Sequence, residues 1–149
     1  IIGHEYHKRH LLEWIILQEN KEINGYTNYI WNGLTCLELA NVIKNIIVHN
    51  KFWKGTRHIY SPDSVSKYKL CEYVNKIYGL NIKMNKFELP TVVNRTLSSI
   101  YKTNDDFHIL PIKKQILDNY QGSIQNSSAQ VNELTNIEDS IELLEPIQS

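Results

Sequence analysis

INGYTNYIWNGLTCLEL, residues 23–39, is the stretch whose reading decides the fold. Two Asn-Gly pairs, Asn24-Gly25 and Asn32-Gly33, flank an aromatic segment containing Tyr26, Tyr29 and Trp31. Asn and Gly tolerate positive φ, so each pair predicts a turn. Thr35-Cys36-Leu37-Glu38 then fits a capping box. In that motif the Thr hydroxyl accepts from the amide three residues on, and the Glu carboxylate reaches back to the capping residue's own amide. A helix is expected from Thr35 to His49. Its buried face would carry Cys36, Leu39, Ala40, Ile43, Ile46 and Ile47, with Glu38, Asn41, Lys44 and Asn45 opposite.

Upstream, Ile1-Ile2-Gly3 reads as the end of a strand that begins earlier in a longer chain. His4, His7 and His10 follow at a spacing of three, and three imidazoles can hold zinc. No acid or Cys completes a recognised ligand spacing and Lys8-Arg9 repels a cation, so no metal site is expected. Leu11 to Gln18 reads as a buried helix, with Leu11, Leu12, Ile15 and Ile16 at helical intervals. The polar segment from Glu19 leads to the first Asn-Gly pair.

Downstream, Lys51 to Gly55 is a loop and Arg57 to Tyr60 a short strand stopped by Ser61-Pro62-Asp63. Ser64 or Ser66 caps a helix whose stripe is Leu70, Val74 and Ile77, ended by Gly79. Leu80 to Met84 alternates as a strand. Pro90 interrupts the chain, Asn94 to Lys102 is ordered without an assigned type, and Pro111 opens a last helix carrying Ile112, Ile116 and Leu117. From Gln121 to Ser149 the polar and acidic composition predicts a flexible tail, with a short amphipathic helix over 137–144. The alternation of strands and helices defines an α/β fold.

Composition narrows the function. The 149 residues suffice for one core, and 42% hydrophobic with 21% charged residues is globular. All 16 basic residues but only 11 of the 16 acids lie before Gln121, a surplus of five positive charges. That surplus suits a phosphorylated ligand but is too sparse for a nucleic-acid surface. Cys36 and Cys71 form no CxxC and sit in helical patterns at positions expected to be buried, as reduced thiols of an intracellular protein. No apolar run approaches membrane-spanning length, and a cytoplasmic location is the expectation. There is no Gly-rich phosphate loop and no GxSxG nucleophile motif.

Four segments taken in order carry a family resemblance: IIGHE at the start, GYTNYIWNGLTCLELANVI at 25–43, GTRHIYSPDSVSKYKLCEYVNKIYGL at 55–80, and NRTLSSIY at 94–101. Together they resemble the carboxyl-terminal part of extended short-chain dehydrogenase/reductases, and most of all the sugar-nucleotide reductase branch typified by dTDP-4-dehydrorhamnose reductase. The resemblance covers residues 1–118 and leaves the tail unmatched.

The resemblance implies the late strands and helices of a Rossmann-like parallel sheet together with a small substrate-binding part, the amino-terminal cofactor half being absent. Residues 1–120 would form that part and 121–149 the acidic tail. The parent protein would use NADP or NAD to reduce a 4-keto nucleotide sugar, or would be an epimerase or dehydratase of the same architecture. Catalysis in such proteins uses a Tyr-x-x-x-Lys pair. Here Tyr73 and Lys76 are too close and Tyr101 has no Lys four residues on, so no catalytic residue and no bound cofactor are expected in this chain itself. Its role would be to cover the nucleotide sugar, through aromatics that stack, amides that bond hydroxyls and cations near the diphosphate. Trp31, Asn32, Arg57 and Arg95 are the first candidates, with Tyr26 and His58 behind them. The partners implied are the nucleotide sugar, the missing Rossmann part and a possible homodimer, with no nucleic acid or membrane. A second reading is a non-enzymatic scaffold of this fold, as in the regulatory β-subunit of methionine adenosyltransferase. A split reading frame without activity of its own is a third.

Overall fold

The computed structural model describes the backbone of residues 1–142 and the side chains of residues 1–128. In chain order the elements are α1 (Leu11–Ile16), β1 (Glu22–Tyr26), β2 (Tyr29–Trp31), α2 (Cys36–Val48), β3 (Val65–Ser66), α3 (Lys67–Tyr78), β4 (Lys83–Phe87), β5 (Val93–Arg95), α4 (Thr103–Phe107) and α5 (Ile112–Glu142). Strands β1 and β4 pair in parallel from Glu22↔Lys83 to Tyr26↔Phe87. A second sheet has β2 at its centre, antiparallel to β3 and parallel to β5. The architecture is thus mixed α/β with parallel strands, as expected. Ile1-Ile2-Gly3 contributes only one parallel bridge, Ile2 to Thr35.

Helix α3 is organised by local signals. The Ser66 hydroxyl accepts from the Lys69 amide at 3.1 Å, and Gly79 closes the helix at φ 66°. The left-handed conformation at Gly79 carries no Cβ penalty. Its buried stripe of Leu70, Cys71 and Val74 packs with Leu12, Ile15, Ile23, Ile82, Ile112 and Ile116 in the main core. A smaller core of Leu34, Val42 and Ile109 lies under α2.

Several expectations are corrected. Asn24-Gly25 lies inside β1, and the turn falls at Thr27-Asn28. Neither Asn-Gly pair has positive φ. The glycines serve close approach instead: a Cβ on Gly25 would sit 2.7 Å from Tyr68 Cδ2, and one on Gly33 would sit 2.4 Å from the Trp31 ring. Arg57 to Tyr60 is not a strand. The Asn104 side chain holds that segment, donating to the Tyr60 carbonyl at 2.7 Å and accepting from its amide at 3.4 Å. The strand expected at Leu80 to Met84 starts at Lys83, and the segment at 94–102 yields only the short β5.

Helix α2 is rotated relative to its apolar pattern. The buried positions are Glu38 and Val42, while Ile43 and Ile47 are exposed. Half of the capping box forms, since Thr35 Oγ1 accepts from the Glu38 amide at 3.2 Å. The Glu38 carboxylate instead accepts from the Leu110 amide at 2.9 Å, and the Thr35 amide donates to Gln115 Oε1 at 2.9 Å. Two long-range contacts, one from the segment leading into α5 and one from α5 itself, therefore decide which face of α2 turns inward. Cys36, on that rotated helix, is exposed rather than buried; Cys71 is buried and both thiols are free.

Helix α5 begins after Pro111 as expected but continues to Glu142, through the stretch expected to be a tail. Within it two serine hydroxyls bond back along the helix, Ser127 to the Ser123 carbonyl and Ser128 to that of Ile124. The short helix expected over 137–144 is part of α5 up to Glu142, and its last two residues lie outside the described residues. No helix of the described residues is long and apolar enough to cross a membrane.

Candidate functional site

β2 and β5 run side by side in parallel, with Trp31 in register with Arg95. The two side chains line one cleft of about 150 Å³ with Gly33, Leu34, Ile59 and Leu97. The absence of a side chain at Gly33 lets the Trp31 indole lie against the backbone there. Arg95 is exposed and makes no hydrogen bond or ion pair among the described residues. The arrangement is a small apolar slot with an aromatic wall and an uncommitted guanidinium at its rim. It suits one ring with an anionic group outside it.

Asn32, directly after Trp31, is only 7% exposed. It donates to the Leu97 carbonyl at 2.9 Å and accepts from the Leu97 amide at 2.7 Å. Its amide is thus engaged at both ends in holding a wall of the cleft. The same device recurs at Asn28, which clamps Leu89, and at Asn75, which clamps Ile82. In each case an amide side chain supplies the donor and acceptor of a missing strand neighbour. Beneath the cleft, Gln115 donates to Ser61 Oγ and to the Leu110 carbonyl, and Ser61 in turn donates to the Gly33 carbonyl at 2.6 Å.

The other candidates lie elsewhere. Tyr26 contributes to an open depression of about 510 Å³ beside β1, with Trp14, Gln18, Lys67 and Cys71, and its ring meets Phe87 edge-on at 5.7 Å. Arg57 stacks on Tyr101 and Trp53 in a cleft of about 400 Å³. His58 Nδ1 lies 3.3 Å from the Ser98 carbonyl, in a depression with Ser99 and Tyr101. The six candidates therefore do not form one surface; only Trp31 and Arg95 share a cleft. Leu97, Ile59, Trp53 and Tyr101, which line these clefts, carry no local sequence signal that marks them.

The polar groups near the amino terminus pair with one another. His4 bonds Glu13 and Tyr78, each at 3.0 Å, and His10 pairs with Glu5. Among the described residues no group of three His, Cys, Asp or Glu side chains converges on a metal position. Burial raises the Tyr78 hydroxyl above its ordinary value and pushes the Cys71 thiol up to about 11. Tyr73 and Lys76 do not form a catalytic pair: Lys76 faces Glu72 at 3.8 Å, and the Tyr73 ring lies under Lys69. β1 leads through Thr27-Asn28 into β2, and β4 into Leu89-Pro90, so neither strand of that parallel pair is followed by a Gly-rich turn into a helix.

Solved structures of dTDP-4-dehydrorhamnose reductases share this chain's fold. The enzyme of Yersinia enterocolitica superposes with a TM-score of 0.59 at 20% identity, over 79% of this chain and 45% of its own. The Bacillus anthracis enzyme, solved in complex with NADP, gives 0.59 at 15% identity over 74% and 42%. That of Clostridium acetobutylicum gives 0.54 at 13% identity over 74% and 41%. The shared feature is the fold. The chain spans less than half the length of each of these enzymes. No protein-family model and no curated protein matches the sequence.

Proposed function

We propose that this chain is the nucleotide-sugar-binding part of an NAD(P)-dependent sugar-nucleotide reductase, with the Trp31–Arg95 cleft as its ring-and-phosphate subsite. The observation that carries the reading is the pairing of Trp31 with an uncommitted Arg95 across β2 and β5, on the fold of these reductases. In this reading Trp31 stacks on the base or sugar, the backbone held by Asn32 forms the opposite wall, and Arg95 meets the diphosphate. The hydride donor and the proton-transferring Tyr and Lys belong to the cofactor half of the parent protein. The two-strand parallel sheet of β1 and β4 fits that division, because parallel sheets ordinarily have more strands and are covered on both faces. A nicotinamide cofactor would supply the hydride there.

A partner-binding scaffold is the second reading. It is favoured by the apolar face that α2 leaves uncovered, where Ile47 is 60% and Val48 66% exposed. A thermal-shift panel separates the two. Stabilisation by dTDP- or UDP-sugars, with none by NADPH or NADH, is the expected result. A folded sample that responds to no sugar nucleotide would overturn the first reading in favour of the second.

A further inference from the structure

The cleft around Arg57 is separate from the Trp31–Arg95 slot and has its own chemistry. The Arg57 guanidinium lies 4.0 Å from the Tyr101 ring centroid and 5.5 Å from that of Trp53. Nη1 donates to Thr103 Oγ1 at 3.2 Å, while Nε is buried without a partner. Nη2 is neither buried without a partner nor bonded among the described residues. Lys51 stands over Phe107 at 5.5 Å in the same cleft, and Trp53 and Phe107 approach to 6.4 Å. Neither cation has a carboxylate within 4.0 Å among the described residues. Asp106 lines the cleft and is likewise without an ionic partner among them.

A guanidinium fixed between two rings, with one nitrogen dehydrated and no counter-ion, is a site of positive potential that an anion relieves. The free Nη2 of the guanidinium and the nearby ammonium together match a phosphate better than a carboxylate, since a phosphate monoester carries close to two charges. Asp106 opposes a ligand that is anionic throughout. It suits one with charge at one end and hydroxyls at the other, for which it and Thr103 are acceptors. Trp53 and the exposed Phe52 offer flat faces to a ring. A volume of about 400 Å³ holds a molecule of that size.

We propose that the Lys51–Trp53–Arg57–Asp106 cleft binds the phosphate monoester of a ring-bearing molecule, independently of the Trp31–Arg95 slot. The phosphate sits on Arg57 and Lys51, the ring on Trp53 and Phe52, and a hydroxyl donates to Asp106.

The test is a titration of the full chain with uridine monophosphate, ribose 5-phosphate, inorganic phosphate and uridine. It follows Trp fluorescence and the ¹⁵N–¹H resonance of Arg57 Nε. Saturable movement of that resonance with uridine monophosphate, about tenfold tighter than with phosphate and absent with uridine, is expected. Arg57→Lys keeps the charge but loses the Nη2 donor of a guanidinium held between two rings, and should weaken binding about tenfold. Lys51→Met removes only an exposed charge, so it should weaken binding without disturbing the fold. Lys44→Met, at an exposed position of α2 that lines neither cleft, should leave binding unchanged. Equal affinity for ribose 5-phosphate would support the class and assign the ring contact to the sugar. An unmoved Arg57 resonance, binding of uridine as tight as its phosphate, or loss of that movement in Lys44→Met would each overturn the proposal.

Discussion

Replacing Asn32 with Ala separates the structural role of this residue from the ligand contact that its neighbours suggest. The amide makes two hydrogen bonds to Leu97, at 2.7 and 2.9 Å, from a position that is 7% exposed. A typical intramolecular hydrogen bond contributes about 0.5–1.5 kcal/mol net, so removing both should cost about 1–3 kcal/mol. The lower half of that range is expected, because Leu97 is itself partly exposed and its backbone can recover water. Urea denaturation should show the midpoint falling with an unchanged slope. Exposed Asn41 on α2, replaced in the same way, should change stability by less than about 0.5 kcal/mol. Since Leu97 walls the Trp31–Arg95 cleft, Asn32→Ala should also weaken sugar-nucleotide binding without removing any group that touches ligand. A loss under about 0.5 kcal/mol with unaltered binding would refute the clamp as the organiser of that wall.

Gln115→Leu should cost about 2–4 kcal/mol in the same assay, because the Thr35 amide and the Leu110 carbonyl lose their partner in a site that is 1% exposed. Gly25→Ala should destabilise by about 1–3 kcal/mol, since the new Cβ would lie 3.0 Å from the Tyr68 Cα, which is backbone and cannot swing away. Iodoacetamide at neutral pH should label Cys36 and spare Cys71 in the folded chain, with both labelled in urea; equal native labelling would contradict the burial. The raised Cys71 thiol makes stability fall as pH rises from 9.0 to about 11, because in that window the unfolded chain has released a proton that the folded chain retains. Cys71→Ala should remove that component of the pH dependence.

What was legible in the sequence was local. Ser66 and Gly79 bracket α3, Thr35 caps α2 and Pro111 precedes α5, because each signal acts within one turn of its own position. The Asn-Gly pairs misled for a physical reason: glycine is required at 25 and 33 by Tyr68 and Trp31 pressing on the backbone, not by φ. The left-handed asparagines are Asn20, Asn50 and Asn81, none of them followed by Gly. The orientation of α2 was hidden because Glu38 and Thr35 are fixed by Leu110 and Gln115, 72 and 80 residues away. Likewise Asn32 looks like a turn residue until Leu97, 65 residues on, is placed beside it. Of the site, the pairing of Trp31 with Arg95 follows from β-register and is not encoded in either neighbourhood alone. The scatter of Tyr26, Arg57 and His58 over other clefts has the same origin.

The most direct measurement is calorimetric titration of dTDP-glucose into the native chain and into Arg95→Ala. The account predicts saturable binding by the native chain and about a tenfold or greater loss in the variant, close to 1.4 kcal/mol, with both melts alike. Binding that is unaffected by the substitution, or no binding by a folded native chain, would contradict the assignment of the Trp31–Arg95 cleft to a nucleotide sugar.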